Sequence, residues 1–182
     1  MEHKLKARSS VGAKINRTTQ GVQGNGQARG HWKLVVRDSN GVITETREWE
    51  NLVTTEGKNY LLSAGLDAGS QVTSWYVGLT DGTPTAAAGD TLATHAGWVE
   101  VTAYTGNRKA FVGGTASGGS LDNSGSVASF AINADATTIG GAFLASVDTG
   151  TSGTLYAVGA FTGGDVVLNN GSTIEVTATF TV

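Results

Sequence analysis

The ten residues at 173–182, TIEVTATFTV, alternate strictly between apolar and polar side chains. A period of two places successive side chains on opposite faces of a β-strand, which excludes a helix here. We therefore predict a strand with one face in the core and one in water. The predicted core positions are Ile174, Val176, Ala178, Phe180 and Val182.

Glycine and proline lie at opposite extremes, with 27 glycines and one proline among 182 residues. Glycine adopts the positive φ of tight turns without steric cost, so this composition favours many short strands joined by turns. We predict an all-β domain at 31–182, a β-sandwich or jelly roll of about eight or nine strands. The glycine- and serine-rich stretches at 115–126 and 147–154 are expected to be exposed loops.

Two local elements are specified most clearly. HWKLVVRD at 31–38 and VITETREWE at 42–50 flank Ser-Asn-Gly, a pattern typical of a β-hairpin. Residues 51–65 predict one short helix, with Thr54 or Thr55 as N-cap and Gly65 as stop signal. We also expect a single helical turn within 86–97, capped by Asp90.

Charge divides the chain into two parts. Residues 1–30 hold six basic side chains and one acidic, a net charge of +5, whereas 31–182 hold six basic and fourteen acidic, a net charge of −8. The first part has few large apolar residues and no period, so we predict an extended arm that orders against a partner. A tail without a role is the alternative. The candidate partner-binding residues are Lys4, Lys6, Arg8, Lys14, Arg17 and Arg29.

The basic arm raises the question of nucleic-acid binding, because lysine and arginine contact phosphates regardless of sequence. The arm has no aromatic residue to stack on bases, and the acidic domain would repel a polyanion. We expect no direct nucleic-acid binding, and equally no membrane span or signal peptide, since no long apolar run is present.

Motifs for chemistry are weak. Cysteine is absent, which excludes disulfides and thiol chemistry, and the glycines at 21–30 miss the nucleotide-binding spacing. Asp90, His95 and Glu100 are the one set that could serve acid–base catalysis or a metal, but His95 is better explained as a turn residue stacked near Trp98. We predict no enzyme, and no catalytic, cofactor or metal residues.

The four tryptophans leave two possibilities open. An exposed pair of Trp32, Trp49, Trp75 and Trp98 could stack on sugars or bind a partner. Packing in the core is the interpretation that we favour.

Two segments carry a resemblance: WYVGLTDGTPTAAAGDTLATHAGWVEVTAY at 75–104 and NLVTTEGKNYLL at 51–62. They resemble segments of structural proteins encoded by tailed bacteriophages and cover roughly a quarter of the chain. Among such proteins, capsid decoration (cement) proteins are most similar in size, β-sandwich character and possession of an N-terminal arm.

The resemblance implies a virion protein on the capsid surface that bridges major capsid subunits and stabilises the shell, with residues 1–30 as the clamp. It further implies the major capsid protein as partner and self-association as a trimer or dimer. The alternative is a receptor- or glycan-binding module of a tail or head fibre, with its site on exposed tryptophans and glycine-rich loops.

Overall fold

The computed structural model describes residues 27–182, which form an all-β, sandwich-like domain with twelve strands and one helix. The elements are β1 (Arg29–Arg37), β2 (Ile43–Val53), α1 (Thr55–Leu66), β3 (Trp75–Asp81), β4 (Val99–Glu100), β5 (Lys109–Phe111), β6 (Ser120–Asp122), β7 (Ala128–Ala131), β8 (Thr137–Ile139), β9 (Gly141–Ala145), β10 (Leu155–Ala160), β11 (Val166–Leu168) and β12 (Thr173–Thr181). No helix in this part of the chain is long and apolar enough to cross a membrane.

The main sheet has the order β4-β3-β9-β10-β2-β1-β12-β6, with β5 also on β3 and β7 also on β12. Strand β2 joins two halves of this sheet, β4-β3-β9-β10 on one side and β1-β12-β6 on the other. Most of β2 pairs with β1, while Leu52 and Val53 pair with β10. One core cluster contains residues of both halves. Across it, the rings of Tyr156 on β10 and Phe180 on β12 meet at a centroid distance of 5.1 Å.

The structure has more strands than the eight or nine predicted. TIGGAFLAS at 138–146 has the sequence of a single strand, but it is divided between two: β8 pairs with β11, whereas β9 pairs with β3 and β10. The predicted loop at 115–126 contains β6 and the fully buried Asn123. The Asn123 side chain replaces strand pairing beside β12, accepting from the Ala178 N–H at 2.7 Å and donating to the Val176 carbonyl at 3.3 Å.

The predicted hairpin is confirmed. Strands β1 and β2 are antiparallel, with Trp32 opposite Trp49, and Gly41 in the turn has a φ of 78°. The Asp38 carboxylate accepts from the Val42 and Asn40 backbone N–H groups, both at 2.9 Å. These bonds, that from Val42 first, lower the pKa of Asp38 and stabilise the turn.

The C-terminal strand has the predicted alternation, with Ile174, Val176, Ala178 and Phe180 buried. The prediction was wrong for Val182, which follows β12 and is 72% exposed. The reason is that β1 begins opposite Thr181, so Val182 has no partner residue in β1.

The helix is confirmed with Thr54 as N-cap, and it continues through Gly65 to Leu66. The helical turn predicted within 86–97 was wrong, since this stretch is irregular. Asp90 folds it instead by accepting from the Ala87 N–H at 3.0 Å and the Trp98 Nε1–H at 3.3 Å. A carboxylate used in this way holds a loop as well as it would cap a helix.

Candidate docking surface at the start of the first strand

The start of β1 separates Arg29 from the other five basic residues that we assigned to the arm. Arg29 is the first residue of the strand, exposed and opposite Thr181, so Arg29 and Gly30 belong to the sheet although we placed them in the arm. Lys4, Lys6, Arg8, Lys14 and Arg17 lie outside the described residues. The surface around Gln27 and Arg29 is where those earlier residues join the domain.

An apolar groove of about 610 Å³ lies at this point, which we call the arm-base groove. It is bounded by the start of β1, the end of β2, helix α1 and the residue after β12. Its main lining residues are Ala28, Asn51, Leu52, Leu61, Leu62 and Val182.

Exposed apolar side chains extend this groove outward. Leu62 is 59% exposed and Val182 is 72% exposed. Leu66, one helical turn after Leu62 and on the same helix face, is 84% exposed. Single exposed apolar residues are ordinary, but a contiguous group of them marks a contact surface.

Sequence reasoning missed this surface, although one signal was present. Tyr60, Leu61 and Leu62 are consecutive apolar residues in a helix that turns about 100° per residue, so they cannot all face the same core. Tyr60 and Leu61 pack against the core and Leu62 points outward.

Asn51 has an unusual environment between the groove and the core. Its Nδ2 and Oδ1 atoms are buried and have no hydrogen-bond partner within residues 27–182. Glycines flank it on both neighbouring strands: a Cβ at Gly30 would lie 2.1 Å from Asn51 Oδ1, and one at Gly159 would lie 2.9 Å from Asn51 Cβ. The two glycines therefore make room for this amide.

A polar groove of about 620 Å³ lies on the other side of Arg29 and shares Asn51 with the arm-base groove. His31 stands at its rim between two carboxylates, with Nδ1 3.1 Å from Glu50 and Nε2 3.6 Å from Glu48. All three side chains are about half exposed or more, so these ion pairs contribute little to stability.

Asp90, His95 and Glu100 each have structural partners. His95 stacks on Trp98 with ring centroids 3.7 Å apart and planes 13° from parallel, as predicted, and its Nδ1 lies 3.1 Å from the Trp98 carbonyl oxygen. Glu100 accepts two bonds from Arg108, at 2.8 and 2.7 Å. The three residues serve loop and strand packing.

Arg108 was not singled out by the sequence, yet it is the most heavily bonded side chain of this region. Its guanidinium is 3% exposed and also donates to the Val147 and Gly150 carbonyls at 2.9 and 2.8 Å. It lies 5.1 Å from the centre of the Phe143 ring. Arg108 thus connects the loop after β9 to β4.

The tryptophans are core residues, which confirms the interpretation that we favoured. Trp32, Trp49 and Trp98 are buried. Trp75 is partly buried with its ring between Tyr60 and Tyr156, at 5.0 and 5.5 Å. The exposed pair needed for stacking on sugars is not formed by these four residues.

Two buried tyrosines have perturbed acidity. Burial raises the pKa of Tyr156 to about 12, with a smaller contribution from Tyr60, and burial likewise raises the pKa of Tyr104. Both rings pack against phenylalanine, Tyr156 on Phe180 and Tyr104 on Phe130. Both hydroxyls are therefore neutral at physiological pH.

No three His, Asp or Glu side chains of residues 27–182 are placed to hold a metal ion together. No protein-family model matches the sequence, and no curated protein matches it.

Proposed function

We propose that this protein is a non-enzymatic structural protein of a phage virion that binds the outside of the capsid and bridges major capsid subunits. Residues 1–30 act as the clamp in this proposal. The resemblance of 51–62 and 75–104 to phage structural proteins gives the biological setting. The surface at the start of β1 supplies the physical argument.

The observation that carries the proposal is the position of the exposed apolar groups. Leu62 and Val182 lie beside the residues from which the basic segment extends, and Leu66 continues the exposed apolar face of α1 one turn after Leu62. A partner that contacts the segment is therefore next to an apolar surface that it can also cover. The segment and this surface together make one contact region.

The charge distribution favours an acidic partner surface. Residues 1–30 carry a net charge of +5, while 31–182 carry −8. Like charges repel, so the acidic domain turns outward when the basic segment lies on an acidic shell. In this orientation the domain faces solvent.

The attachment of the segment suits a clamp mechanically. β1 is hydrogen-bonded along its nine residues between β2 and β12. A pull on residues before Arg29 acts along the strand and must shear many bonds together. The segment can therefore transmit force to the whole domain.

The decisive measurement is the number of copies per virion, determined by quantitative mass spectrometry of the purified phage that encodes the chain. Shell decoration predicts hundreds of copies. A handful of copies would indicate a tail or fibre component, and none would exclude a virion protein.

The clamp is tested by neutralising the segment and measuring binding to shells that lack the protein. Changing Lys4, Lys6, Arg8, Lys14 and Arg17 to Gln brings the net charge of 1–30 to zero. We expect roughly tenfold weaker binding, since five surface charges contribute a few tenths of a kcal/mol each. Lys33→Gln with Lys109→Gln is the matched control and should bind as the wild type; equal binding by all three proteins would refute the clamp.

A further inference from the structure

The arm-base groove has features of a peptide-binding site. It combines an apolar wall from Leu52, Leu61 and Leu62 with the amide of Asn51, which has a donor and an acceptor without partners in the described chain. A buried amide left unpaired costs about 1–3 kcal/mol, so a ligand gains that energy when the Asn51 side chain turns from its buried position to bond to it. Peptide backbone offers both an N–H and a C=O to such an amide.

The segment that immediately precedes the groove fits these requirements. Gln27 and Ala28 line it, so residues 20–26 are attached at its edge. Their sequence, QGVQGNG, has one aliphatic side chain, Val22, between glycines that allow the chain to reverse direction. The five residues from Gln27 to Val22 span at most about 16–18 Å.

We propose that residues 20–26 of the same chain dock in the arm-base groove. Val22 packs on Leu61, Leu62 and Val182, and the Asn51 side chain turns from its buried position to bond to backbone groups of the segment. This inference does not depend on the capsid function, because it concerns the isolated protein.

The tether favours the chain's own segment over that of a second copy. A short linker gives an effective concentration on the order of millimolar, which a separate molecule reaches only in concentrated solution. In the docked state of the isolated protein residues 20–26 cover the apolar wall, so a partner that binds this surface must displace them.

Nuclear Overhauser effects in the full-length protein test the docking directly. We expect contacts between the Val22 methyl groups and those of Leu61, Leu62 and Val182. The experiment is repeated on a mixture of isotope-labelled and unlabelled protein, with filtering for contacts between molecules. Contacts within one molecule support the proposal; contacts only between molecules, or none from Val22, overturn it.

Two pairs of variants sharpen the test. Leu62→Asp in the groove and Val22→Asp in the segment should each abolish the contacts between the two, while the domain remains folded because Leu62 is exposed. Leu66→Asp on the same helix, outside the groove lining, and Val11→Asp in the earlier segment are the matched controls and should leave the contacts from Val22 unchanged. Retention of the contacts in Leu62→Asp would refute the docking.

Discussion

Arg108 illustrates how much one buried side chain can hold in place. Its guanidinium bonds to the Glu100 carboxylate with two nitrogens and to two carbonyls of the 147–150 loop. Bidentate pairs of this kind are stronger than single ion pairs, and their loss leaves several acceptors without a donor. The stability of the loop after β9 therefore depends on Arg108.

We predict that Arg108→Met lowers the free energy of unfolding by about 3 kcal/mol, because Glu100 keeps its charge in a partly buried site without a partner. Urea denaturation measures the change. Arg37→Met is the matched control: Arg37 and Glu175 are 34% and 27% exposed, so the loss there should stay below about 1 kcal/mol. Similar losses in both variants would contradict this account.

Helix α1 is fixed to the sheet at its first turn. The Thr54 hydroxyl accepts from the Gly57 N–H at 3.0 Å and donates to the Leu155 carbonyl of β10 at 2.6 Å. Thr54 is fully buried, so neither group has water as a substitute. The same side chain is both the helix cap and the link to β10.

Thr54→Ala should cost about 2 kcal/mol of unfolding free energy, since it removes the cap and leaves two buried backbone groups unpaired. Thr55→Ala, at the exposed neighbouring position, should change stability by less than about 0.5 kcal/mol. Thr54→Ser keeps the hydroxyl and should recover most of the loss. Thermal and urea unfolding of the three variants decide the matter, and a tolerated Thr54→Ala would show that the cap is dispensable.

The elements predicted correctly are those with local signals. The hairpin follows from alternation around Ser39, Asn40 and Gly41, and the helix start follows from Thr54. The division of 137–145 between two sheets has no local signal, since it depends on β11 and β3 from distant parts of the chain. The exposure of Val182 likewise depends on where β1 begins.

The candidate surface was less predictable than the fold. The sequence directed attention to six basic residues of the arm, and of these six only Arg29 lies in the described part of the chain. The arm-base groove arises where Ala28, Asn51, Leu61 and Val182 meet, and these positions are separated by up to most of the chain length. Periodicity assigns a side chain to a face but does not identify which distant residues share it.

At the scale of the whole molecule, the two halves of the sheet are joined through the aromatic side chains between them. Tyr156 on β10 lies between Trp75 on β3 and Phe180 on β12, at 5.5 and 5.1 Å. Ionising such a tyrosine would place a charge in the interface between the halves. Alkaline pH is therefore a probe of the core as a unit.

Because burial raises the pKa of Tyr156 to about 12 from an ordinary value of 10.0, the folded state retains this proton after the unfolded state has lost it. The contribution of the Tyr156 hydroxyl to the free energy of unfolding is fully present below pH 10 and is lost as pH rises toward 12. Above pH 10 the wild type should lose about 1.4 kcal/mol per pH unit relative to Tyr156→Phe, in which the group is missing. Urea unfolding of both proteins between pH 8 and 11.5 measures the difference, and Tyr104→Phe should behave in the same direction. Parallel pH profiles of the wild type and both variants would mean that the hydroxyls reach water in the folded state, and the two halves would then be less tightly packed than the ring distances indicate.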